Sequence, residues 1–396
     1  RDRGKIAMHF SKRMDHFGEN IFTTLLNKKL ELERQGRKVT DLSVGAPNIP
    51  PAEHIRRALL EAAADEKNYV YAIKDLDELH QAVAQWYRRR YGVTVDPDRE
   101  VVGLLGSQEG LAHIALAVTD PGDVVLVPEP CYPIFGDGPV IAGAELFPMP
   151  LKKEKDYLID FDEIPEEIAD RARLMVVSYP NNPTTALAPA WWYEKCIAFA
   201  KKHHIIVVHD NAYSELVFDR EPTGRFLSYP GAKEVGVEFN SLSKTYGLAG
   251  ARIGFCIGNP EVVEKLAKLK SNMDYGIFLP VQKAAIAAIT GDQSCVAATR
   301  AAYRRRRDCL CDGCTAIGWP MERCPGTMFV WAKIPERFSS SVEFVQTLLL
   351  EAGVLVTPGS AFGTSGEGFV RIALVKDEEE LKEAIDRMDK SGIFRA

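Results

Sequence analysis

The sequence predicts an α/β fold in which a mostly parallel β-sheet, covered by helices, forms a large domain beside a smaller α+β domain. Short apolar runs rich in Val and Ile occur at 124–127, 174–177, 205–208 and 253–257. Helical segments such as 190–203 separate several of them. Continuous apolar runs that alternate with helices are typical of parallel strands buried on both faces.

The end of the chain has a different pattern, in which helices alternate with isolated strands. Helices are predicted at 299–317, at 342–352 and from residue 378, and strands at 327–334 and 369–374. With 396 residues the chain is too long for one compact core. We therefore expect a large domain at 50–290 and a small domain formed by residues 1–49 and 291–396.

Composition and charge exclude several classes of function. The net charge is −6, with 49 basic and 55 acidic residues, so no positive excess is present to bind nucleic acid. No apolar stretch is long enough to span a bilayer, and the polar start of the chain lacks the apolar core of a secretory signal. We expect a cytoplasmic enzyme without nucleic-acid or membrane partners.

Eight cysteines in such a chain predict reduced thiols rather than disulfides. Four of them cluster near the C-terminal third, at Cys309, Cys311, Cys314 and Cys324. Their spacing matches no common zinc pattern well, and cysteine also packs as a small apolar residue. A metal cluster is the alternative; packing of a helix is the preferred interpretation, and no metal site is expected.

Polar side chains gather where the apolar runs of the predicted sheet end. Asp210 closes one run, Lys244 follows the next together with two serines, and Arg252 precedes a third. A buried carboxylate needs a cation or hydrogen-bond donors, because burial of the charge alone is expensive. Ligands of open α/β sheets bind at the carboxyl ends of the strands. The pattern predicts a site that holds a lysine nucleophile and a buried aspartate.

A turn of small residues, Gly106-Ser107-Gln108, opens a predicted helix after another apolar run. Free N–H groups and the helix dipole at such a terminus favour an anion. The same edge of the sheet is therefore expected to hold a phosphate.

Four segments carry a resemblance to a known family: Pro180-Asn181-Asn182-Pro183-Thr184, Asp210-x-x-Tyr213, Ser241-x-Ser243-Lys244-x7-Arg252-x-Gly254 and Phe369-Val370-Arg371-Ile372. Together they resemble the signatures of the class I/II (fold type I) pyridoxal-phosphate-dependent aminotransferases, in the order and spacing of that family and over nearly the whole chain. The stretches Gly106-Ser107-Gln108-Glu109-Gly110 and Asn181-Asn182-Pro183-Thr184-Thr185 look closest to the aspartate and LL-diaminopimelate aminotransferase branch.

The resemblance implies pyridoxal 5'-phosphate as cofactor and Lys244 as the residue that forms a Schiff base with it and moves the substrate Cα proton. A neutral lysine amine is nucleophilic, and its pKa falls readily in a cation-rich, low-dielectric site. Asp210 would pair with the pyridine nitrogen, so that the ring withdraws electrons. Tyr213 would donate to the ring oxygen. A helix N-cap for Asp210 and a core position for Tyr213 are the structural alternatives.

The resemblance also implies further cofactor contacts. Tyr132 would stack on the ring, although an aromatic packed under a proline-rich loop is the alternative. Asn182 would contact the ring oxygen. The phosphate would be held by Ser107, Gln108, Ser241, Ser243 and Arg252, the arginine through parallel charge-assisted hydrogen bonds.

The substrates implied are an α-amino acid and a 2-oxo acid. Arg371 would bind the α-carboxylate, with help from Asn182 and from the backbone around Gly45. Tyr71 resembles the tyrosine that the family sends into the neighbouring subunit's phosphate site, and Tyr69 competes for that role. Either choice predicts a homodimer with shared active sites.

Two positions depart from the family pattern. Thr185 stands where the family often has glycine, and a positive φ there would strain a threonine, so we expect a slightly different turn. Ala251 stands where a bulky aromatic is common before the arginine; this leaves the phosphate contact intact and opens space near the cofactor.

The predicted reaction is transamination, since Lys244, Asp210, Tyr213 and Arg371 together suit α-proton chemistry on an amino acid. A carbon–sulfur β-lyase on the same fold begins with the same proton abstraction and is the alternative. A cofactor-binding transcription regulator would need a DNA-binding module, for which the segment before Gly45 is too short.

Overall fold

The structure is a computed structural model that describes residues 8–17, 21–220 and 225–395. Within these ranges the strands are, in chain order, β1 (Thr40–Asp41), β2 (Val101–Leu104), β3 (Val124–Glu129), β4 (Glu145–Pro150), β5 (Ala172–Val177), β6 (Ile206–Asn211), β7 (Gly236–Ser241), β8 (Gly254–Gly258), β9 (Phe329–Lys333), β10 (Val354–Leu355), β11 (Thr357–Pro358) and β12 (Phe369–Ala373).

The α-helices of the same ranges are α1 (Ile21–Arg34), α2 (Glu53–Ala64), α3 (Asp77–Tyr91), α4 (Ser107–Val118), α5 (Ile134–Ile141), α6 (Glu166–Arg171), α7 (Ala190–His203), α8 (Ala232–Val235), α9 (Pro260–Ser271), α10 (Leu279–Thr290), α11 (Ser294–Ala316), α12 (Ser341–Ala352) and α13 (Glu378–Lys390). Among the helices of these ranges, none is long and apolar enough to cross a membrane.

Local signals explain several helix ends. Helix α13 begins after Asp377, whose side chain accepts a hydrogen bond from the Glu380 N–H, and acidic residues fill its first turn. Helix α3 ends at Tyr91 with a basic last turn and is capped by Gly92, which has a φ of 67°. Helix α7 spans the residues predicted for it, 190–203.

The large sheet has the strand order β2-β8-β7-β6-β5-β3-β4. Strand β8 is antiparallel to both of its neighbours, and the pairs from β7 to β4 are parallel. The prediction of a mostly parallel sheet is confirmed. Because β5, β6 and β7 are parallel neighbours, their carboxyl ends lie at the same edge, and the segments that follow them meet there.

Helices cover both faces of this sheet, as the continuous apolar runs predicted. Along β3, Val124 and Leu126 belong to one hydrophobic cluster, whereas Val125 and Val127 belong to another. Residues of α3, α7 and α10 complete the first cluster, and residues of α4, α5 and α9 complete the second. The α/β fold class is confirmed.

A separate hydrophobic cluster lies around the antiparallel sheet β11-β12-β9, with α11, α12 and α13. The N-terminal segment joins it, since β1 pairs in parallel with β10 and Leu25, Leu32 and Leu42 are buried in the same cluster. The domain boundaries at 49/50 and 290/291 stay a prediction.

Two strands run further than the sequence predicted. Strand β6 includes Asp210, and β7 includes Ser241, although both residues were expected to follow their strands. Each strand continues beyond its apolar run because the backbone hydrogen-bond ladder extends through the polar residues, as in the pairing of Asp210 with Phe239. The helix N-cap alternative for Asp210 is therefore wrong.

The clustered cysteines lie in the small core. Cys309, Cys311 and Cys314 are on α11, and the last two are buried together with Cys324. Their packing in a helix and its neighbouring loop agrees with the preferred interpretation, and all eight cysteines are free thiols.

The turn at Thr185 differs from the expectation. Thr185 has a φ of 67°, so it takes the left-handed conformation that we expected the chain to avoid. Its N–H donates to the Asn181 carbonyl at 2.8 Å, and the Asn181 N–H donates to the Ala186 carbonyl at 2.9 Å. These backbone bonds hold the turn closed, although a left-handed L-residue costs about 1–2 kcal/mol.

Candidate active site

Asp210 lies in β6, on the central strand of the large sheet, and is 6% exposed. Its Oδ1 is buried without a hydrogen-bond partner among the described residues. Burial raises the pKa of Asp210 to about 7, an effect that the charge of Lys244 opposes and that of Glu238 adds to. The carboxylate is therefore placed to accept a hydrogen bond from a donor that is itself a cation.

Lys244 follows β7 and is largely buried. Its Nζ donates to the Gly45 carbonyl at 2.5 Å, which brings the N-terminal segment to the edge of the large sheet. Burial and the nearby charges of Arg371 and Arg252 together lower the pKa of Lys244 to about 8, against the effect of Asp210. Near neutral pH a lysine in this state has a far larger neutral, nucleophilic fraction than an ordinary lysine.

A cradle for an anion lies at the N-terminus of α4. Gly106 precedes the helix with a φ of 77°, and a Cβ on it would lie 2.4 Å from Nη2 of Arg252. The guanidinium thus lies directly against the turn that bears Ser107. Free helix N–H groups beside an arginine suit a phosphate. In the neighbouring turn the Ser243 N–H donates to Ser241 Oγ at 3.1 Å.

Arg371 lies on β12 and is 6% exposed. Its guanidinium lies over the rings of Phe329 and Phe362, with Cζ 4.1 Å and 4.6 Å from the two centroids. Nη1 donates to Asn182 Oδ1 and Nη2 donates to the Ser43 carbonyl, both at 2.9 Å.

No carboxylate of the described residues pairs with Arg371, and its Nε is buried without a partner there. Burial lowers the pKa of Arg371 to about 10, so the group remains a cation at neutral pH. A buried cation with donors to spare suits a carboxylate.

Two tyrosines, Tyr213 and Tyr132, lie near the charged side chains of the site. Burial raises the pKa of Tyr213, on which the charges of Arg371 and Asp210 also act. Burial likewise raises the pKa of Tyr132. The charge of Asp210 also raises it, whereas the charges of Arg371 and Arg252 lower it. The Tyr132 hydroxyl donates to Gln108 Oε1. Both tyrosines therefore lie among the charged groups of the site.

The structure brings together most of the residues that the sequence singled out. These are Gly45, Ser107, Gln108, Tyr132, Asn182, Asp210, Tyr213, Ser241, Ser243, Lys244, Arg252 and Arg371. Tyr71 is different, because it is 76% exposed and its ring contacts Tyr275 with 4.9 Å between centroids.

Sequence reasoning missed three contacts of Arg371, namely Ser43, Phe329 and Phe362. Ser43 lies two residues before Gly45, which was singled out. Phe329 is on β9, the strand that pairs with β12, and a Cβ on Gly45 would lie 2.7 Å from its Cζ. Glycine at position 45 therefore lets the backbone approach the Phe329 ring. No sequence signal marks Phe362.

The chain matches the family model "Aminotransferase class I and II" over residues 37–388. The chain belongs to the class I and II aminotransferases. It is 42% identical to the LL-diaminopimelate aminotransferase of Moorella thermoacetica over 382 residues, which are 96% of this chain and 98% of the relative. It is 45% identical to the enzyme of that name from Syntrophobacter fumaroxidans over 371 residues, 93% and 95% of the two chains.

The fold of this aminotransferase is similar to that of substrate-bound BacF from Bacillus subtilis. The TM-score is 0.93 and the sequence identity 37%, and the match covers 97% of this chain and 98% of the other. The relatives confirm a pyridoxal-phosphate-dependent enzyme of fold type I that transfers amino groups. They offer no support for the carbon–sulfur lyase.

The residues present fit pyridoxal phosphate. The partnerless Oδ1 of Asp210 suits the N–H of a protonated pyridine. The turn at Gly106 with Arg252 suits a phosphate, and Lys244 is a largely buried amine of lowered pKa. When bound, the cofactor supplies a carbonyl for amines and a conjugated ring that withdraws electrons from Cα.

Replacing Asp210 by Asn should change how the stability of the cofactor-free protein depends on pH. The folded pKa of Asp210 is raised, so its contribution to stability is present below the usual pKa near 4 and is lost as the pH rises to about 7. Above that pH the loss is at most about 4 kcal/mol, and the Asp210→Asn variant avoids it because an amide does not ionise.

Urea unfolding at about pH 5 and about pH 8 measures this effect. At the higher pH we expect the Asp210→Asn protein to be more stable than the wild type. At the lower pH the difference in stability between the two proteins should be smaller. Asp98→Asn, at an exposed position, is the control. Parallel pH profiles for wild type and Asp210→Asn would contradict the prediction.

Lys244 should titrate near pH 8 in the cofactor-free protein. Competitive labelling with acetic anhydride, followed by peptide mass spectrometry, measures this titration because only the neutral amine reacts. Exposed lysines serve as internal references. Arg371→Leu removes one cause of the lowered pKa, so the midpoint should move upward. Labelling of Lys244 that follows the reference lysines at every pH would sink the prediction.

Proposed function

We propose that this aminotransferase takes the amino group of an α-amino acid whose α-carboxylate binds Arg371, and passes it to a 2-oxo acid. LL-diaminopimelate is the proposed donor. The support is the name borne by the relatives at 42% and 45% identity over nearly the full length.

The state of Arg371 is the observation that carries the proposal. A buried guanidinium held by two aromatic rings, with an amide oxygen and a carbonyl as hydrogen-bond partners, has a fixed plane. Arginine presents parallel N–H donors that match a carboxylate. The substrate carboxylate would neutralise a charge that the described residues leave unpaired.

Lys244 is the proposed base. The charges of Asp210 and Arg371 both act on its amine. We propose that this amine, when neutral, would take the proton from the substrate Cα and later give it back. Its lowered pKa suits both steps, because a general base works best when its pKa is near the working pH.

The remaining residues would hold the reactants. Asp210 would keep the pyridine nitrogen protonated, and Tyr213 and Asn182 would donate to the ring oxygen. Tyr132 would stack on the ring, held by its bond to Gln108. Phosphate binding is proposed for Ser107, Gln108, Ser241, Ser243 and Arg252, and Gly45 would line the substrate carboxylate.

We further propose a homodimer that shares its active sites through Tyr71. An exposed apolar patch supports it: Tyr69, Val70, Tyr71, Ile73 and Tyr275 are each more than 60% exposed. Such a patch marks an interaction surface. Tyr69 already donates to the Ala63 carbonyl at 2.8 Å, so Tyr71 is the better candidate for the partner's phosphate site.

A cytoplasmic location is part of the proposal. All eight cysteines are unpaired thiols, and several are buried. Reduced thiols are typical of the cytoplasm.

A spectral half-reaction tests the donor. Loaded enzyme is mixed with single amino acids, and its absorbance is followed while the oxo acid is measured. LL-diaminopimelate should convert the cofactor to its pyridoxamine form at the highest kcat/KM. A higher value for aspartate or another amino acid would replace the proposed donor, and release of pyruvate and ammonia from a cysteine conjugate would indicate lyase chemistry.

Arg371→Lys tests the carboxylate site in the same assay. Lysine keeps the charge but loses the bidentate geometry, so kcat/KM should fall about a hundredfold. An unchanged kcat/KM would show that another group binds the carboxylate.

Tyr71→Phe tests the shared site. Loss of a hydrogen bond to a charged phosphate should weaken cofactor affinity about ten- to a hundredfold, measured by equilibrium titration. Tyr69→Phe is the matched control and should leave that affinity nearly unchanged. Sedimentation should show a dimer for both. A monomeric wild type, or equal effects of the two variants, would contradict the proposal.

A further inference from the structure

Glu129, the last residue of β3, connects the large sheet to the loop 359–366 that carries Phe362. Its Oε1 accepts hydrogen bonds from Thr364 Oγ1 at 2.7 Å, from the Ser365 N–H at 3.0 Å and from Ser365 Oγ at 3.2 Å. Partial burial would raise the pKa of Glu129, but these hydrogen bonds lower it below its usual value. The carboxylate is therefore charged when it binds the loop.

A backbone bond and a close contact accompany the carboxylate. The Cys131 N–H donates to the Phe362 carbonyl at 2.9 Å. A Cβ on Gly363 would lie 2.6 Å from Cγ of Glu129, so the loop backbone lies directly on the glutamate side chain. The segment 129–131 immediately precedes Tyr132, so the loop is attached next to the proposed cofactor-stacking residue.

The loop forms one wall of the carboxylate site. Phe362 is 4% exposed, and its ring centroid lies 4.6 Å from Cζ of Arg371, which also contacts the ring of Phe329. If the loop moves away from the sheet, Arg371 loses one of its two rings and gains freedom to rotate. A carboxylate binds best to a guanidinium whose plane is already fixed.

We propose that Glu129 is a positioning residue for substrate binding: it holds the 359–366 loop on the large sheet and so keeps Phe362 against Arg371. The inference rests on the proposed role of Arg371 as the carboxylate site. The hydrogen bonds of the Glu129 carboxylate go to Thr364 and Ser365 of the loop, so its effect on Arg371 is exerted through the loop.

Glu129→Gln keeps the shape of the side chain but removes its charge, which weakens all three hydrogen bonds. KM for the amino acid and for the oxo acid should rise about tenfold, while kcat changes less than about twofold, because carboxylate binding is lost equally from ground and transition states. Loaded wild-type and variant enzymes are compared.

Glu343→Gln is the matched control. Its Oε2 accepts hydrogen bonds from the N–H and Oγ of Ser339 at 2.9 Å and 2.5 Å, the same donor groups that Ser365 offers to Glu129. This pair lies at the start of α12, and its own hydrogen bonds stay within that helix start, whereas the neighbouring Ser341 bonds Ser360 of the loop through its hydroxyl at 3.2 Å. The control variant should keep both kinetic constants.

Hydrogen exchange of the loaded enzyme gives a second readout that does not depend on activity. The Ser365 amide should exchange about tenfold faster in Glu129→Gln, because its acceptor is weakened, with little change in α12. Thr364→Val removes the Thr364 hydroxyl, one of the loop's donors to Glu129. It should raise KM and speed exchange at Ser365 as Glu129→Gln does, but by smaller factors. It also tests the proposal if Glu129→Gln folds poorly.

The outcomes separate this inference from the proposed function. If Arg371→Lys leaves kcat/KM unchanged, the proposed carboxylate site fails. If Arg371→Lys lowers kcat/KM but Glu129→Gln changes neither KM nor exchange at Ser365, the role of Glu129 is overturned. A fall in kcat alone would also overturn it. A rise in KM together with faster loop exchange, absent in Glu343→Gln, supports it.

Discussion

Burial of charge at one edge of the large sheet is the constraint on which the site depends. Asp210 and Arg371 are each 6% exposed, and the described residues give neither a charged partner within hydrogen-bonding distance. Burying unpaired charge destabilises a protein, so such groups persist where a ligand completes them. The cofactor ring nitrogen and the substrate carboxylate are the charges that these two side chains suit.

This arrangement requires contributions from distant parts of the chain. Lys244 and Asp210 come from the large sheet, whereas Arg371 comes from the small antiparallel sheet. The N-terminal segment lies between them, because the Gly45 carbonyl accepts from Lys244 and the Ser43 carbonyl accepts from Arg371.

Much of the site could be predicted because the family's motifs are short and local. Lys244 with its serines and Arg252 lie within a dozen residues, and the turn at Gly106 identifies a helix terminus by composition alone. Thr185 shows the limit of such reasoning. The sequence suggested that its turn would avoid a positive φ, but backbone hydrogen bonds to Asn181 fix the strained conformation.

The sequence by itself determined the α/β class and predicted Lys244 and Asp210 as cofactor residues, because apolar runs and motif spacing are properties of neighbouring residues. Only the tertiary structure decided which aromatic rings enclose Arg371 and which loop Glu129 holds. Phe329 contacts the guanidinium because its strand pairs with that of Arg371, and Phe362 contacts it because its loop packs there. No local sequence pattern predicts either contact. Long-range packing chooses those partners, and it exists only once the chain has folded.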